Sequence, residues 1–271
     1  MNNWHVESPT VLDIDEAVTS LKVRLVAGHV DVVRSDGDDV RVEVSQIERG
    51  PVEVDVTNGV LTIRHERLSW EGVLGWLKSD SRRAVVSVAV PAGCTTNIGV
   101  VSASAVVAGL EAPVTVRCVS GDVTLDEVTG SIEVESVSGD VEGRSLRGDV
   151  NVKAVSGGLT LVGGETPRVN VKNVSGDVAL DLSVTGPPEI NVSTVSGDVM
   201  VRLPRDAASL RVDLASTSGD LVCGFDGLES ERRPGSRRLR GTLGGGAGSF
   251  HGKTVSGRMS LLSRAGGESG S

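Results

Sequence analysis

Five aspartates follow corner glycines at regular places in this chain: Asp122, Asp140, Asp177, Asp198 and Asp220. If the residues between them stack, these carboxylates form a ladder at the ~4.8 Å spacing of neighbouring strands. Hard cations such as Ca²⁺ take several oxygen ligands, so such a ladder could hold cations or a basic partner. At that spacing like charges repel by on the order of 1 kcal/mol per neighbour in water. Each aspartate also has a simpler use, because Ser and Asp beside a tight turn can hydrogen-bond nearby backbone and close it. That reading is preferred. Gly158 interrupts the column, and the Gly-Gly-x-Gly-x-Asp pattern of calcium rolls is absent from the sequence. Neither a metal nor a cofactor is expected.

Other candidates are weaker. Arg232, Arg233, Arg237, Arg238 and Arg240 crowd one stretch that could meet phosphates or an acidic partner. They could equally neutralise an acidic neighbourhood. Trp70 and Trp76 flank Val73 and Leu74 at helical spacing, which could dock a partner or a membrane surface; a cap over an open end of the fold is the preferred reading. Arg147-Gly148-Asp149 spells an integrin-type tripeptide but falls in register as an ordinary corner. His5, His29, His65 and His251 are scattered without metal-ligand spacing, and no Gly-x-Ser-x-Gly elbow occurs. Asp126, Glu133, Glu135 and Glu142 supply carboxylates, as any solvated sheet would. No catalytic constellation is legible, and an enzyme is not expected.

The elements that carry these residues follow a nine-residue beat. Gly121, Gly130, Gly139, Gly148 and Gly157 mark it. Beat positions three and five are apolar, as in Val123 and Leu125 or Ile132 and Val134, which is the period of a half-buried strand. Position eight, held by residues such as Val128 and Val137, is expected to point inward too. Alternate corners read Ser-Gly-Asp or a variant, from Val119-Ser120-Gly121-Asp122 to Val255-Ser256-Gly257-Arg258. The repeat is therefore two strands, about 18 residues per coil, as in a β-solenoid whose coils bury their apolar faces by stacking. Insertions all follow a Ser-Gly-Asp strand, so one edge should stay regular and the other should carry loops. The longest of these loops is expected near residues 222–247.

Composition agrees with that architecture. The 271 residues include 35 Gly, two Phe, three Trp and no Tyr, so the core must be stacked aliphatics. A net charge of −9 argues against a general nucleic-acid binder. Cys94, Cys118 and Cys223 form an odd set with no disulfide or zinc spacing, which favours free thiols and a reducing compartment. No stretch reads as a signal peptide or a membrane span. A cytoplasmic location is expected, with peripheral association with the envelope through a partner left open.

The run Val85-Val86-Ser87-Val88-Ala89-Val90-Pro91-Ala92-Gly93, the serial Ser-Gly-Asp-Val copies, and Val199-Met200-Val201-Arg202-Leu203-Pro204 resemble a bacterial β-strand-repeat family of unknown function labelled "putative adhesin". The resemblance covers roughly residues 20–262 and implies a β-solenoid with a binding or structural role. The fold expected is all-β: a single-stranded right-handed parallel β-solenoid (β-helix) with an irregular N-terminal β portion over residues 1–92. That portion would include a short helical insertion near residues 68–78. The regular solenoid would occupy residues 93–263 and a disordered tail residues 264–271. The function expected is a non-catalytic adhesin-like scaffold that binds a protein partner or itself. The alternatives are a bactofilin-like polymer-forming scaffold and a carbohydrate-active β-helix enzyme.

Overall fold

The computed structural model describes residues 2–65, 82–183, 186–204 and 209–264. Every regular element among them is a β-strand. The expected helical insertion near residues 68–78 and residues 265–271 of the expected tail lie outside the described residues. The chain divides into two compact units, residues 1–139 and 140–271.

The first unit contains β1 (Asn2–Val6), β2 (Thr10–Ile14), β3 (Ser20–Arg34), β4 (Val40–Glu48), β5 (Val52–Thr57), β6 (Val60–His65), β7 (Arg83–Val90), β8 (Thr95–Ala108), β9 (Val114–Ser120), β10 (Val123–Asp126) and β11 (Ile132–Ser138). They form two ladders. The first runs β1-β5-β6-β3-β8-β9-β11, antiparallel as far as β6 and parallel from β6 onward. The second runs β2-β4-β7-β3-β8-β10, antiparallel as far as β7 and parallel after it. β3 and β8 serve both ladders, so β3 must bend between them. Gly28 at the bend has φ 121, and a Cβ there would strike the Ala84 carbonyl oxygen. The neighbouring Val26 N–H finds its acceptor in the buried imidazole of His65, at 3.0 Å from Nδ1. Alternating valines such as Val23, Val30, Val32, Val86 and Val88 face inward and are fully buried.

The second unit contains β12 (Val141–Arg144), β13 (Val150–Ser156), β14 (Leu159–Glu165), β15 (Arg168–Ser175), β16 (Val178–Ser183), β17 (Glu189–Thr194), β18 (Val199–Pro204), β19 (Leu210–Ser216), β20 (Leu221–Cys223), β21 (Leu228–Arg233), β22 (Ser236–Leu243), β23 (Gly248–Thr254) and β24 (Met259–Arg264). One ladder runs β13-β15-β17-β23-β19-β22-β21, with only the last two pairings antiparallel. The other runs β12-β14-β16-β18-β24-β20, all parallel.

One expectation changes here. The long loop near residues 222–247 is β20 followed by the β21–β22 hairpin, which lies antiparallel along β19. The coils also do not stack in sequence order. β23 and β24 slot between the coil of β17 and β18 and the coil of β19 and β20. Phe250 on β23 pairs with Ile190 on one side and Val212 on the other, and is fully buried between them. Arg264, assigned to the tail by sequence, ends β24 and donates to Asp181 at 2.8 Å.

Candidate functional site

The Ser-Gly-Asp edge is built by a parity rule. In β11, residues Ile132, Val134 and Ser136 face inward, so Val137 faces out. The short strand β10 stops at Asp126, and Glu127 takes φ 52, which flips the alternation and brings Val128 inside. Ser145, with φ 51, does the same for Leu146. Position eight therefore points inward only before the looser corners. Before the Ser-Gly-Asp corners it points outward, which corrects the sequence expectation. In the second unit Val155, Val174, Val195 and Val255 are between 46% and 48% exposed. The registers place them in one row beside the corner.

At four corners of the second unit the inward place two residues before the corner serine holds a small polar residue, Asn173, Thr194, Ser216 or Thr254, and this residue closes the corner, whereas Ala154 takes the same place before Val155. Asn173 Nδ2 donates to Gly176 O at 2.9 Å, Thr194 Oγ1 to Ser196 O at 3.1 Å and Thr254 Oγ1 to Ser256 O at 2.7 Å. Ser216 Oγ accepts from the Gly219 N–H at 2.8 Å. Sequence reasoning overlooked this column. Its signal was the run of Ser136, Asn173, Thr194, Ser216 and Thr254, each two residues before a corner serine, at a beat position to which the sequence reading gave no role.

The corner serines and aspartates act between coils rather than within them. Ser218 Oγ donates to Val255 O at 3.0 Å, a residue of the neighbouring coil. Asp140 Oδ1 accepts from the Gly158 N–H at 2.7 Å, Asp177 Oδ1 from the Asp198 N–H at 2.8 Å and Asp198 Oδ1 from the Arg258 N–H at 2.8 Å. Asp220 pairs instead with Arg237. The inserted coil also places Arg258 in the aspartate column, between Asp198 and Asp220. These bonds tie a charged acceptor to backbone at each step, which offsets the mutual repulsion of the row. Asp122, the remaining member of the ladder, is on the corner after β9 in the first unit. Among the described residues no three His, Cys, Asp or Glu side chains come together as a metal site. Replacing Asp198 by Ala should cost about 1 kcal/mol, whereas Asn keeps the acceptor and should cost less. Urea unfolding of the two variants checks this.

The arginine stretch lies on the β21–β22 hairpin. Arg238 donates to both carboxylate oxygens of Asp213, at 2.9 and 2.8 Å, and Arg240 adds a contact at 3.3 Å. Arg233 pairs with Glu231 at 3.6 Å, and Arg232 is exposed. Arg237, Arg238 and Arg240 therefore fasten the hairpin to Asp213 and Asp220. The hydrogen bond from Arg238, aided by that from Arg240, holds the Asp213 carboxyl down at about 2. Such a group contributes stability at pH above the unfolded carboxylate range, and loses it as pH falls towards about 2. The variant Arg238→Gln should therefore be less stable than the parent at pH 7. The gap should narrow steadily below about pH 4, as read by denaturant midpoints across pH.

Trp70 and Trp76 lie outside the described residues. Asp149 of the integrin-like tripeptide is held by Arg168 at 2.7 Å. Of the remaining carboxylates, Glu135 pairs with Arg117 at 3.0 Å and Glu142 with Arg144 at 3.5 Å. His29 contacts Asp31 at 2.9 Å. All three thiols are free; burial pushes Cys94 and Cys118 up to about 11, too high for nucleophilic use at neutral pH. No helix among the described residues is long and apolar enough to cross a membrane.

These features define an all-β protein in which each unit contains stacked parallel strands and the second carries a regular, hydrogen-bonded corner edge. The chain belongs to the Toastrack DUF4097 family, which matches residues 18–261. No curated protein matches it. Among solved structures it is similar to a "putative adhesin" from Bacteroides fragilis, with 12% identity, coverage of 94% of this chain and 98% of that chain, and a TM-score of 0.38. It is also similar to a "putative cell adhesion protein" from Clostridium sporogenes, with 13% identity, coverage of 95% and 100%, and a TM-score of 0.27. A "putative lipid binding protein" from Parabacteroides distasonis has 13% identity, coverage of 95% and 94%, and a TM-score of 0.29.

Proposed function

We propose that this protein is a non-catalytic, adhesin-like binding scaffold whose regular corner edge docks a protein partner, another copy of this chain included. A right-handed coil of about 18 residues is part of that reading; the pairing of Ile132 with Val114, and of Leu159 with Val141, supports the period. The observation that carries the function is the outward row Val155, Val174, Val195 and Val255. Isolated surface valines need no explanation, but a row at strand spacing forms a continuous apolar strip. It is rimmed by Asp177 and Asp198, whose carboxylates are already anchored to backbone and so keep the strip's border fixed. The three free cysteines support a reducing, cytoplasmic setting.

A photo-crosslinking residue at position 174 or 195, incorporated in the native host, should give one discrete adduct. The same residue at position 162, an exposed valine away from the corner, should not. Adducts of the same kind and yield from all three positions, or none from the edge, would remove the proposal. The mass of the adduct separates a second copy from a different protein.

A further inference from the structure

A separate feature lies on the outer face of the first ladder in the 1–139 unit. Registers pair Glu53 with Arg64, Arg64 with Arg24, Arg24 with Gly99, Gly99 with Arg117 and Arg117 with Glu135. These six residues thus form one cross-strand row, Glu-Arg-Arg-Gly-Arg-Glu. The glutamates stand at its ends and engage the outer arginines. Arg64 Nε donates to Glu53 at 2.7 Å and Arg117 Nε to Glu135 at 3.0 Å. The row thus holds three arginines and two glutamates.

Gly99 is the gap in the row, and the Arg24 side chain lies across it. A Cβ at residue 99 would come within 3.1 Å of Arg24 Cδ and Nη1. Arg24 Nη1 donates to Asn97 Oδ1 at 2.9 Å and to Val23 O at 3.1 Å, which fixes the guanidinium half-buried on the sheet. Arg117 reaches the same place from the next strand. Together Arg24, Asn97, Gly99 and Arg117 line a cleft of about 230 Å³. Neither terminal nitrogen of Arg117 has a partner among the described residues. Burial first, and the charge of Arg117 second, lower the pKa of Arg24, as expected for like charges held together in a sheltered place.

We propose that this cleft binds a phosphate group, bridged by Arg24 and Arg117 with the Asn97 amide as a third donor. A guanidinium presents its N–H groups as a planar fork that matches carboxylate or phosphate. Here two forks approach one cleft from different strands. A tetrahedral dianion can offer separate oxygens and two negative charges to both at once, whereas a carboxylate brings one charge and two oxygens. The cleft is too small for a whole nucleotide or lipid, so the phosphate is either a small soluble species or the exposed end of a larger molecule. This inference is independent of the corner edge, which is a different surface with different chemistry.

The test is calorimetric titration of the full chain with inorganic phosphate at low salt, with acetate as the comparison ion. Saturable phosphate binding, tighter than acetate, is expected. Arg117→Gln should weaken it about tenfold, through loss of one charge-assisted contact. Gly99→Val, which displaces Arg24 from the floor, should weaken it by at least as much. Melting curves establish that both variants are folded. If Gly99→Val does not fold, Arg117→Gln alone decides. Absence of saturable phosphate binding overturns the proposal. So does equal affinity for acetate, or unchanged affinity in folded Arg117→Gln. Vesicles containing phosphatidic acid or only phosphatidylcholine distinguish the source. Co-sedimentation with the former, lost in Arg117→Gln, indicates a lipid headgroup. Phosphate binding without vesicle binding indicates a soluble phosphate.

Discussion

Replacing Gly176 by alanine should cost about 3–5 kcal/mol in urea unfolding, one of the two largest single-residue effects expected in this protein. Gly176 has φ 112, a conformation that costs any other residue on the order of 1–2 kcal/mol. The larger part comes from the neighbouring coil. A Cβ at residue 176 would overlap the Gly157 carbonyl oxygen and lie 2.7 Å from its carbon and 3.2 Å from its nitrogen. Those atoms are backbone, so they cannot swing aside as a side-chain tip would. Relief requires the two coils to separate, which strains the pairing of β13 with β15. Gly186 is the matched control. It has φ 89 but nothing within 4 Å of its would-be Cβ, so Gly186→Ala should cost only about 1 kcal/mol. Equal losses at the two sites would mean that backbone conformation alone, and not stacking, makes the corners glycine.

Truncating Phe250 to alanine should cost about 4 kcal/mol. Among the described residues it is the largest of the fully buried side chains, and it belongs to the inserted strand β23. Its place in the row is otherwise taken by aliphatic residues, Ile190 and Val212. The space around it is made by residues that withhold volume. A Cβ at Gly252, two positions along the same strand, would meet Met259 and Leu214 side chains, the latter at 2.7 Å. The cavity left by alanine is therefore bounded by neighbours on both sides that cannot close without moving a strand. Phe250→Leu should recover more than half of the loss, because it restores most of the volume. A loss below about 1 kcal/mol for the alanine variant would show that β23 is not packed on both sides as described.

How far the sequence carries depends on which interactions are local. Alternation at Val123 and Leu125, or at Ile132 and Val134, is a property of neighbouring residues, and it correctly names the buried face. The corner glycines are legible for the same reason. The outward valines were misassigned because Glu127 and Ser145 adopt a left-handed backbone that their residue types do not advertise, while no such reset precedes Val137 or Val174. The inserted coil was hidden by repetition itself. When every corner reads alike, Gly257 can stack on Gly197 as well as Gly219 could, and order along the chain does not fix order in space. The arginine cleft depends on registers joining β6, β3, β8 and β9, which no local pattern reveals. Conversely, the arginines that drew attention in sequence, Arg237, Arg238 and Arg240, are occupied by Asp220 and Asp213 within the fold.

The slot between β17 and β19 has a consequence for synthesis. Residues 210–223 leave the ribosome well before residues 248–264, yet β19 finds its parallel neighbour only in β23. During that interval β17 and β19 each present an open strand edge that the same strand, β23, will later cover. The β21–β22 hairpin emerges in between and can pair with β19 at once, because that contact is antiparallel and close in sequence. It shields one edge of the waiting strand while the other stays free for a partner not yet made. On a chain made from its N-terminus, the two ladders can therefore be completed beyond β17 and β18 only once β23 and β24 have been made.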